Sequence, residues 1–343
     1  MTELLADHTT LRVGGPARSW VTARTAEELI EAVAQADSAG EPVLILSGGS
    51  NVLVGDEGFE GTVVQVATRG IADADVLACS GAFITVAAGV PWDALVEEAN
   101  RRGWVGIEAL SGIPGLVGST PIQNVGAYGQ EVGQTIARVR TWDRRERRIT
   151  TFSAFDCRFG YRSSIFKSEP GRWVVLSVTF QFLLGDLSSP IRYSELASRL
   201  GIAPGSRAPL AEVREAVLDL RRRKGMVLDA ADHDTWSAGS FFTNPILSAD
   251  QAAALPPGAP RYPLPDGTVK SSAAWLIEHA GFRKGYGTPP ATLSTRHTLA
   301  ITNRGGATAA DLLALAREIR DGVAAAFGVR LVPEPVLVGC SLD

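Results

Sequence analysis

The chain has 343 residues, of which 45% are hydrophobic and 20% charged, which fits a soluble globular protein with room for two or three domains, each with its own core. A formal net charge of −4 gives no general attraction to nucleic acid, so a small-molecule ligand is expected. The one long uncharged stretch is broken by Gln, Asn, Ser and Pro and excludes a membrane span; Cys79, Cys157 and Cys340 are far apart, which indicates neither a disulfide framework nor a metal site.

The opening residues, MTELLADHTTLRVGG, carry acids but neither a basic nor an apolar leader region, so a cytoplasmic location is expected. Residues 10–16 read as an extended stretch entering a turn. A helix follows from Thr25, where Thr25 and Glu28 match a capping box and Leu29, Ile30 and Val33 form one apolar face. Residues 42–46 are a continuous apolar run and predict a buried strand. The run enters Ser47, Gly48, Gly49, Ser50 and Asn51 and continues into 52–54. Such a turn offers backbone N–H groups and a hydroxyl to an anion, yet the motif alone reads first as a plain hairpin turn.

Residues 83–88 predict a strand. Pro91 suits the first position of a helix whose apolar face is Trp92, Leu95, Val96 and Ala99 and which ends at Gly103. Directly after it comes EALSGIPGLVGSTPIQNVGAYGQE, residues 108–131, uncharged between its terminal glutamates. Glycines at 112, 115, 118, 126 and 129 let a backbone approach a ligand with no Cβ in the way, exposing N–H groups that suit phosphate. A structural loop between strands is the bland alternative.

Residues 139–143 and 173–182 predict strands, the second with strong β-propensity. Between them Arg162 lies in a Gly-Tyr-Arg-Ser turn, where the residues alone read as surface. The linker 183–209 contains Tyr193. A helix over 210–223 then ends in Leu-Arg-Arg-Arg-Lys224, whose charges suit the helix dipole or a diphosphate. Residues 236–245, WSAGSFFTNP, place Ser240 between Gly239 and two phenylalanines, without the second glycine of a hydrolase elbow. A turn at 262–267, Lys270, a helix around Ala274, Leu276 and Ile277, a long helix over 309–327 and an apolar strand over 329–339 complete the chain. Glu334 stands in that strand between Pro333 and Pro335. The alternation argues α/β or α+β in three parts. It is not a doubly wound dinucleotide fold, since no Gly-x-Gly-x-x-Gly joins a first strand to its helix.

Residues 112–129, GIPGLVGSTPIQNVGAYG, closely resemble the flavin-binding segment of the MurB family, the UDP-N-acetylenolpyruvoylglucosamine reductases of peptidoglycan synthesis. Gly48 to Asn51, Gly160-Tyr161-Arg162, Gly239 to Asn244 and Glu334 before Gly339 match in the same order, and the linker with Tyr193 resembles the longer-loop class. The resemblance implies an α+β fold: a FAD-binding fold of the PCMH/vanillyl-alcohol-oxidase type, with two α+β subdomains at 1–68 and 69–225, the second joined by the C-terminal strand 333–343. It also implies a C-terminal α/β substrate-binding domain at 226–332.

The resemblance further implies non-covalent FAD held by Ser47, Gly48, Gly49, Ser50, Asn51, Gly112, Ile113, Pro114, Gly115, Gly118, Ser119, Gln123, Asn124, Gly126, Ala127 and Tyr128. Its substrate contacts are Tyr128, Tyr193, Lys224, Asn244, Tyr262 and Lys270, and no metal takes part. The reaction it implies is NADPH-dependent reduction of an enolpyruvyl ether of a UDP-sugar to UDP-N-acetylmuramate; apart from the resemblance, a monomer that neither enters membranes nor binds nucleic acid is expected. Arg162 would pair with the carboxylate of the intermediate, Ser240 would supply a proton to carbon, and Glu334 would stabilise the enolate, as a hydrogen-bond donor if its apolar surroundings keep it protonated. Three departures stand out: Ser119-Thr120 where the family has Ala-Ala, Gly225-Met226 where Leu-Pro follows the lysine, and Pro335 and Leu337 after Glu334. An oxidase of the same binding fold usually tethers FAD through His or Cys near these loops, and 47–51 and 108–131 contain neither. A nucleotide-binding module without turnover would not need Arg162, Ser240 and Glu334 together.

Overall fold

A computed structural model describes residues 3–72, 76–77 and 81–343, so Cys79 lies outside the described residues. Its helices and mostly antiparallel sheets make an α+β chain. The chain divides into two compact units: residues 19–48 with 60–222, and residues 1–18 and 49–59 with 223–343.

The first unit is built on an antiparallel sheet ordered Arg148–Ser153, Ile136–Asp143, Trp173–Leu184, Gly81–Ala87 and Ile71–Ala72. Trp173–Leu184 is the long central strand, and its alternating Val174, Leu176, Val178, Phe180 and Phe182 are buried. Phe180 and Phe182 stack at 5.5 Å, and Phe180 meets Trp92 of the helix Trp92–Arg102 at 6.2 Å. That helix buries Trp92, Leu95, Val96 and Ala99, the face its spacing predicts, and stops at Gly103, whose φ of 69° is a left-handed cap. A second sheet has Phe59–Val66 between Ala17–Ala23 and Val43–Leu46, the last pair parallel.

Val43–Leu46 is half-buried rather than buried throughout, with only Leu46 fully covered, because it is an edge strand. The helix Ala26–Ser38 starts where predicted. Thr25 Oγ accepts the Glu28 N–H at 3.1 Å, while the Glu28 carboxylate accepts from Arg24 N–H at 2.7 Å, one residue ahead of the usual box. Ser194–Leu200 and Leu210–Arg223 bury Leu196, Val213, Ala216, Val217 and Leu220 in a smaller core with Ala109.

In the second unit the helix Ala309–Phe327 buries Leu312, Leu313, Ala316, Ile319 and Val323 in a core shared with Leu293 and Ile301 of the hairpin Ala291–Leu293 and Ile301–Asn303. Val52–Val54 pairs in parallel with Val336–Val338. Two expectations change here. Residues 47–51 do not form a hairpin, since Val52–Val54 takes the C-terminal strand as its partner and Val43–Leu46 pairs elsewhere. The C-terminal strand joins a segment expected in the first subdomain, 1–68, and not the second; it is also short, because Pro333 and Pro335 have no N–H to give a ladder.

Candidate active site

In the first unit the glycine loop is folded against its own chain. Gly118 N–H donates to Ala88 O at 2.8 Å, Val117 N–H to Val90 O at 2.9 Å and Trp92 N–H to Gly115 O at 3.0 Å. A Cβ on Gly118 would lie 2.5 Å from Ala88 Cβ, and one on Gly48 2.8 Å from Gly115 Cα, so these glycines permit backbone packing. Gly112, with φ of 71°, donates its N–H to Asp93 Oδ1 at 2.6 Å. The expected display of N–H groups therefore fails at Gly112 and Gly118, whose donors are spent inside the protein. Ser119 and Thr120 donate their hydroxyls to Leu116 O and Val117 O at 2.7 and 2.8 Å, which explains how they replace two alanines without facing outward.

The fit of this unit to a flavin diphosphate rests on different atoms. Ser47 Oγ is buried and makes no hydrogen bond among the described residues, an orphan hydroxyl at the end of Val43–Leu46. Tyr128, Asn124 and Arg162 hold φ of 49°, 47° and 50°, a left-handed conformation costly for Tyr and Arg that Arg147 and Arg158 of this unit also adopt. Gly126–Ala127 pairs with Gln130–Glu131, so Tyr128 and Gly129 form the tip of a tight hairpin. Tyr128 meets Tyr193 edge to face at 5.4 Å, bringing together two residues expected at the substrate. Burial pushes the Tyr128 phenol up to about 12, keeping it a neutral donor, with the Arg221 charge opposing the shift.

Asn124, expected at the flavin, is 2% exposed and spends its amide inside the loop. Its Nδ2 donates to Glu131 Oε2 at 2.7 Å and Gly160 O at 3.1 Å, and Oδ1 accepts from Gly133 N–H at 2.9 Å. It thereby pins the Gly160–Ser163 turn, closed by reciprocal bonds of 3.1 and 3.2 Å, that carries Arg162. Arg162 donates through Nη2 to Gly126 O at 3.1 Å and receives Lys167 Nζ on its own carbonyl at 3.1 Å. It is half-buried, a guanidinium held by the glycine loop rather than a surface residue.

In the second unit Ser240 is half-buried between Gly239 and the fully buried Phe241 and Phe242, whose rings meet at 5.2 Å. Phe241 N–H donates to Leu299 O at 2.7 Å, and Glu334 N–H donates to Phe241 O at 2.8 Å, so the segments of Ser240 and Glu334 run side by side. Asn51 holds the Glu334 segment: its side-chain N–H₂ donates to Glu334 O at 3.3 Å and its backbone carbonyl accepts Val336 N–H at 3.0 Å. A Cβ on Gly49 would collide with His8 O, and one on Gly239 would meet nothing within 4 Å. Asn244, Tyr262 and Lys270 also come together. Tyr262 pairs across a three-stranded sheet with Lys270, whose Nζ lies 6.0 Å from its ring centre, and Asn244 Oδ1 caps the helix Ala273–His279 at Ala273 N–H, 3.0 Å away. Lys224 follows the helix Leu210–Arg223, and Gly225 at φ of 66° turns the chain where this sequence departs from the Leu-Pro of the family it resembles.

Sequence reasoning singled out neither Asp93 nor Glu108. Glu108, fully buried, accepts from Gly106 N–H, Gln130 Nε2 and Ser189 N–H at 2.7, 2.8 and 2.7 Å, tying both ends of the loop to the linker before Tyr193. Its place as the last charge ahead of the glycines was the available signal. Among the described residues no group of three His, Cys, Asp or Glu could hold a metal ion, and no helix is long and apolar enough to cross a membrane.

Comparison with known proteins completes the assignment. Residues 17–151 match a family model described as FAD binding domain, and residues 231–338 match UDP-N-acetylenolpyruvoylglucosamine reductase, C-terminal domain. A UDP-N-acetylenolpyruvoylglucosamine reductase of Cutibacterium acnes is 60% identical over 341 residues, 98% of this chain and 90% of that protein, and one of Thermobifida fusca is 55% identical over 348 residues, 98% and 97%. The crystal structure of the MurB of Thermus caldophilus superposes with a TM-score of 0.67 at 28% identity, covering 98% of both chains. The chain is an FAD-dependent oxidoreductase and belongs to the MurB family, the UDP-N-acetylenolpyruvoylglucosamine reductases.

Proposed function

We propose that the protein reduces the enolpyruvyl ether of UDP-N-acetylglucosamine to UDP-N-acetylmuramate with NADPH as hydride donor, in the cytoplasm and as a monomer. The observation that carries this reading is the pairing of the Ser240 and Glu334 segments through Glu334 N–H and Phe241 O at 2.8 Å, with Ser240 held half-buried by two core phenylalanines. The chemistry that FAD supplies when bound is hydride transfer. Ser47 to Asn51, Gly112 to Gly118 and the hairpin to Tyr128 would hold it, Ser47 through its orphan hydroxyl.

Reduction at the terminal vinyl carbon leaves negative charge on the neighbouring carbon and its carboxylate. Arg162, fixed by Gly126 O, presents a fork that matches this carboxylate. Ser240 donates its hydroxyl proton to the carbon, a task open to a weak acid because the enolate is a strong base and apolar neighbours hold the hydroxyl in place. Glu334 stabilises the enolate. Tyr128, Tyr193, Lys224, Asn244, Tyr262 and Lys270 bind the UDP-sugar; the neutral phenol of Tyr128 donates a hydrogen bond at working pH. The test is Ser240→Ala. Turnover should collapse while flavin and UDP-sugar binding persist, whereas unchanged turnover would remove Ser240 from the proton-donor role.

A further inference from the structure

Asp93 opens the helix Trp92–Arg102 and makes three bonds at once. Its Oδ1 accepts from Gly112 N–H at 2.6 Å and from Arg214 Nη1 at 2.7 Å, and its Oδ2 accepts from Arg214 Nη2 at 2.9 Å. The Arg214 side chain is only 14% exposed, and its helix, Leu210–Arg223, carries Arg221 two turns further on. One carboxylate thus fixes the left-handed Gly112 that opens the glycine loop and, through a planar two-bond fork, the register of the helix leading to Lys224.

We infer that Asp93 is a positioning residue for the flavin, acting through the Gly112 N–H, and that Arg214 serves to hold Asp93 and the helix. This rests on the reading of the glycine loop as the FAD site. The two bonds can be separated. Asp93→Asn keeps an acceptor for Gly112 and loses the ion pair; the exchange Asp93→Arg with Arg214→Asp restores the ion pair and leaves Gly112 without its acceptor.

The experiment titrates FAD into each full-length chain by fluorescence quenching and melts each FAD-free chain. Asp93→Asn should bind FAD within about threefold of the parent yet melt lower, and the exchanged pair should melt near the parent yet bind FAD roughly tenfold more weakly. FAD affinity that follows the ion pair, or that is equal in both variants and the parent, overturns the inference. Gly115→Ala, a Cβ at φ of 115° in the same loop, whose carbonyl accepts from Trp92 N–H rather than from Asp93 or Arg214, separates the two failures. If it leaves FAD affinity unchanged, the loop does not hold flavin; if it weakens FAD while the Asp93 series follows the ion pair or stays flat, the loop stands and the positioning role alone falls.

Discussion

Replacing Asn124 tests how the loop holds Arg162. The residue is 2% exposed, with φ of 47°. Asn124→Ala removes three hydrogen bonds, to Glu131, Gly160 and Gly133. A net bond contributes about 1 kcal/mol and a buried partner left unsatisfied costs more, so the side chain accounts for about 3 to 4 kcal/mol. Alanine in a left-handed conformation adds roughly 1 kcal/mol. The total, about 4 to 5 kcal/mol, is a large share of the roughly 5 to 15 kcal/mol that keeps a domain folded. Asn124→Gly loses the same bonds but accepts the backbone angle, so it should be about 1 kcal/mol more stable than the alanine variant. Urea unfolding of parent, alanine and glycine chains measures both differences. Both variants should also lose turnover, since the Gly160–Ser163 turn loses its pin. Equal stability of the two variants would refute the backbone argument, and a loss below about 1 kcal/mol would refute the hydrogen-bond argument.

Ser47→Ala should weaken FAD binding by roughly three- to tenfold while the melting of the FAD-free chain stays unchanged, because Ser47 Oγ has no hydrogen-bond partner to lose among the described residues; the same titration and melts check it. Asp234, 3% exposed at its side chain, accepts from Thr295 N–H, Thr295 Oγ1, Ser294 Oγ and Arg304 Nη1, so Asp234→Ala should cost about 3 to 5 kcal/mol by urea unfolding. Despite the opposing effect of burial, those bonds lower its pKa, so its stabilising contribution is present above the ordinary carboxylate range and is lost as pH falls through the depressed value; melting against pH measures it. Burial pushes the Cys157 thiol from 9.0 up to about 12, so the unfolded chain ionises first and stability should fall between those values. Cys157→Ala should flatten that alkaline slope, and a thiol reagent should leave Cys157 unmodified in the native chain.

The helices were legible where local chemistry decides them. Thr25, Gly103 and the 3.6-residue spacing of Trp92, Leu95, Val96 and Ala99 gave boundaries within a residue, and Leu210–Arg223 and Ala309–Phe327 appear as read. Strand partners were not legible, because pairing depends on which edges meet: Val52–Val54 looks like half of a hairpin until Val336–Val338 is seen beside it. At the candidate site, motif order singled out Arg162, Ser240 and Glu334 as candidates, and the Tyr262–Lys270 pairing emerged only with the sheet. Glycine composition suggested exposed N–H groups, but Gly118 needs its missing Cβ to pack on Ala88. The carboxylates of Asp93 and Glu108 went unread because their partners, Arg214 and Ser189, are distant in sequence.

The proposed function requires one bound flavin to connect NADPH to the enolpyruvyl UDP-sugar. Its most direct test is the visible spectrum of the purified protein under anaerobic conditions, first with NADPH and then with the enolpyruvyl ether. The protein should be yellow, bleach with NADPH and regain its colour when that substrate is added. Colour that returns with oxygen but not with the substrate, or a protein that cannot be loaded with FAD, would contradict it.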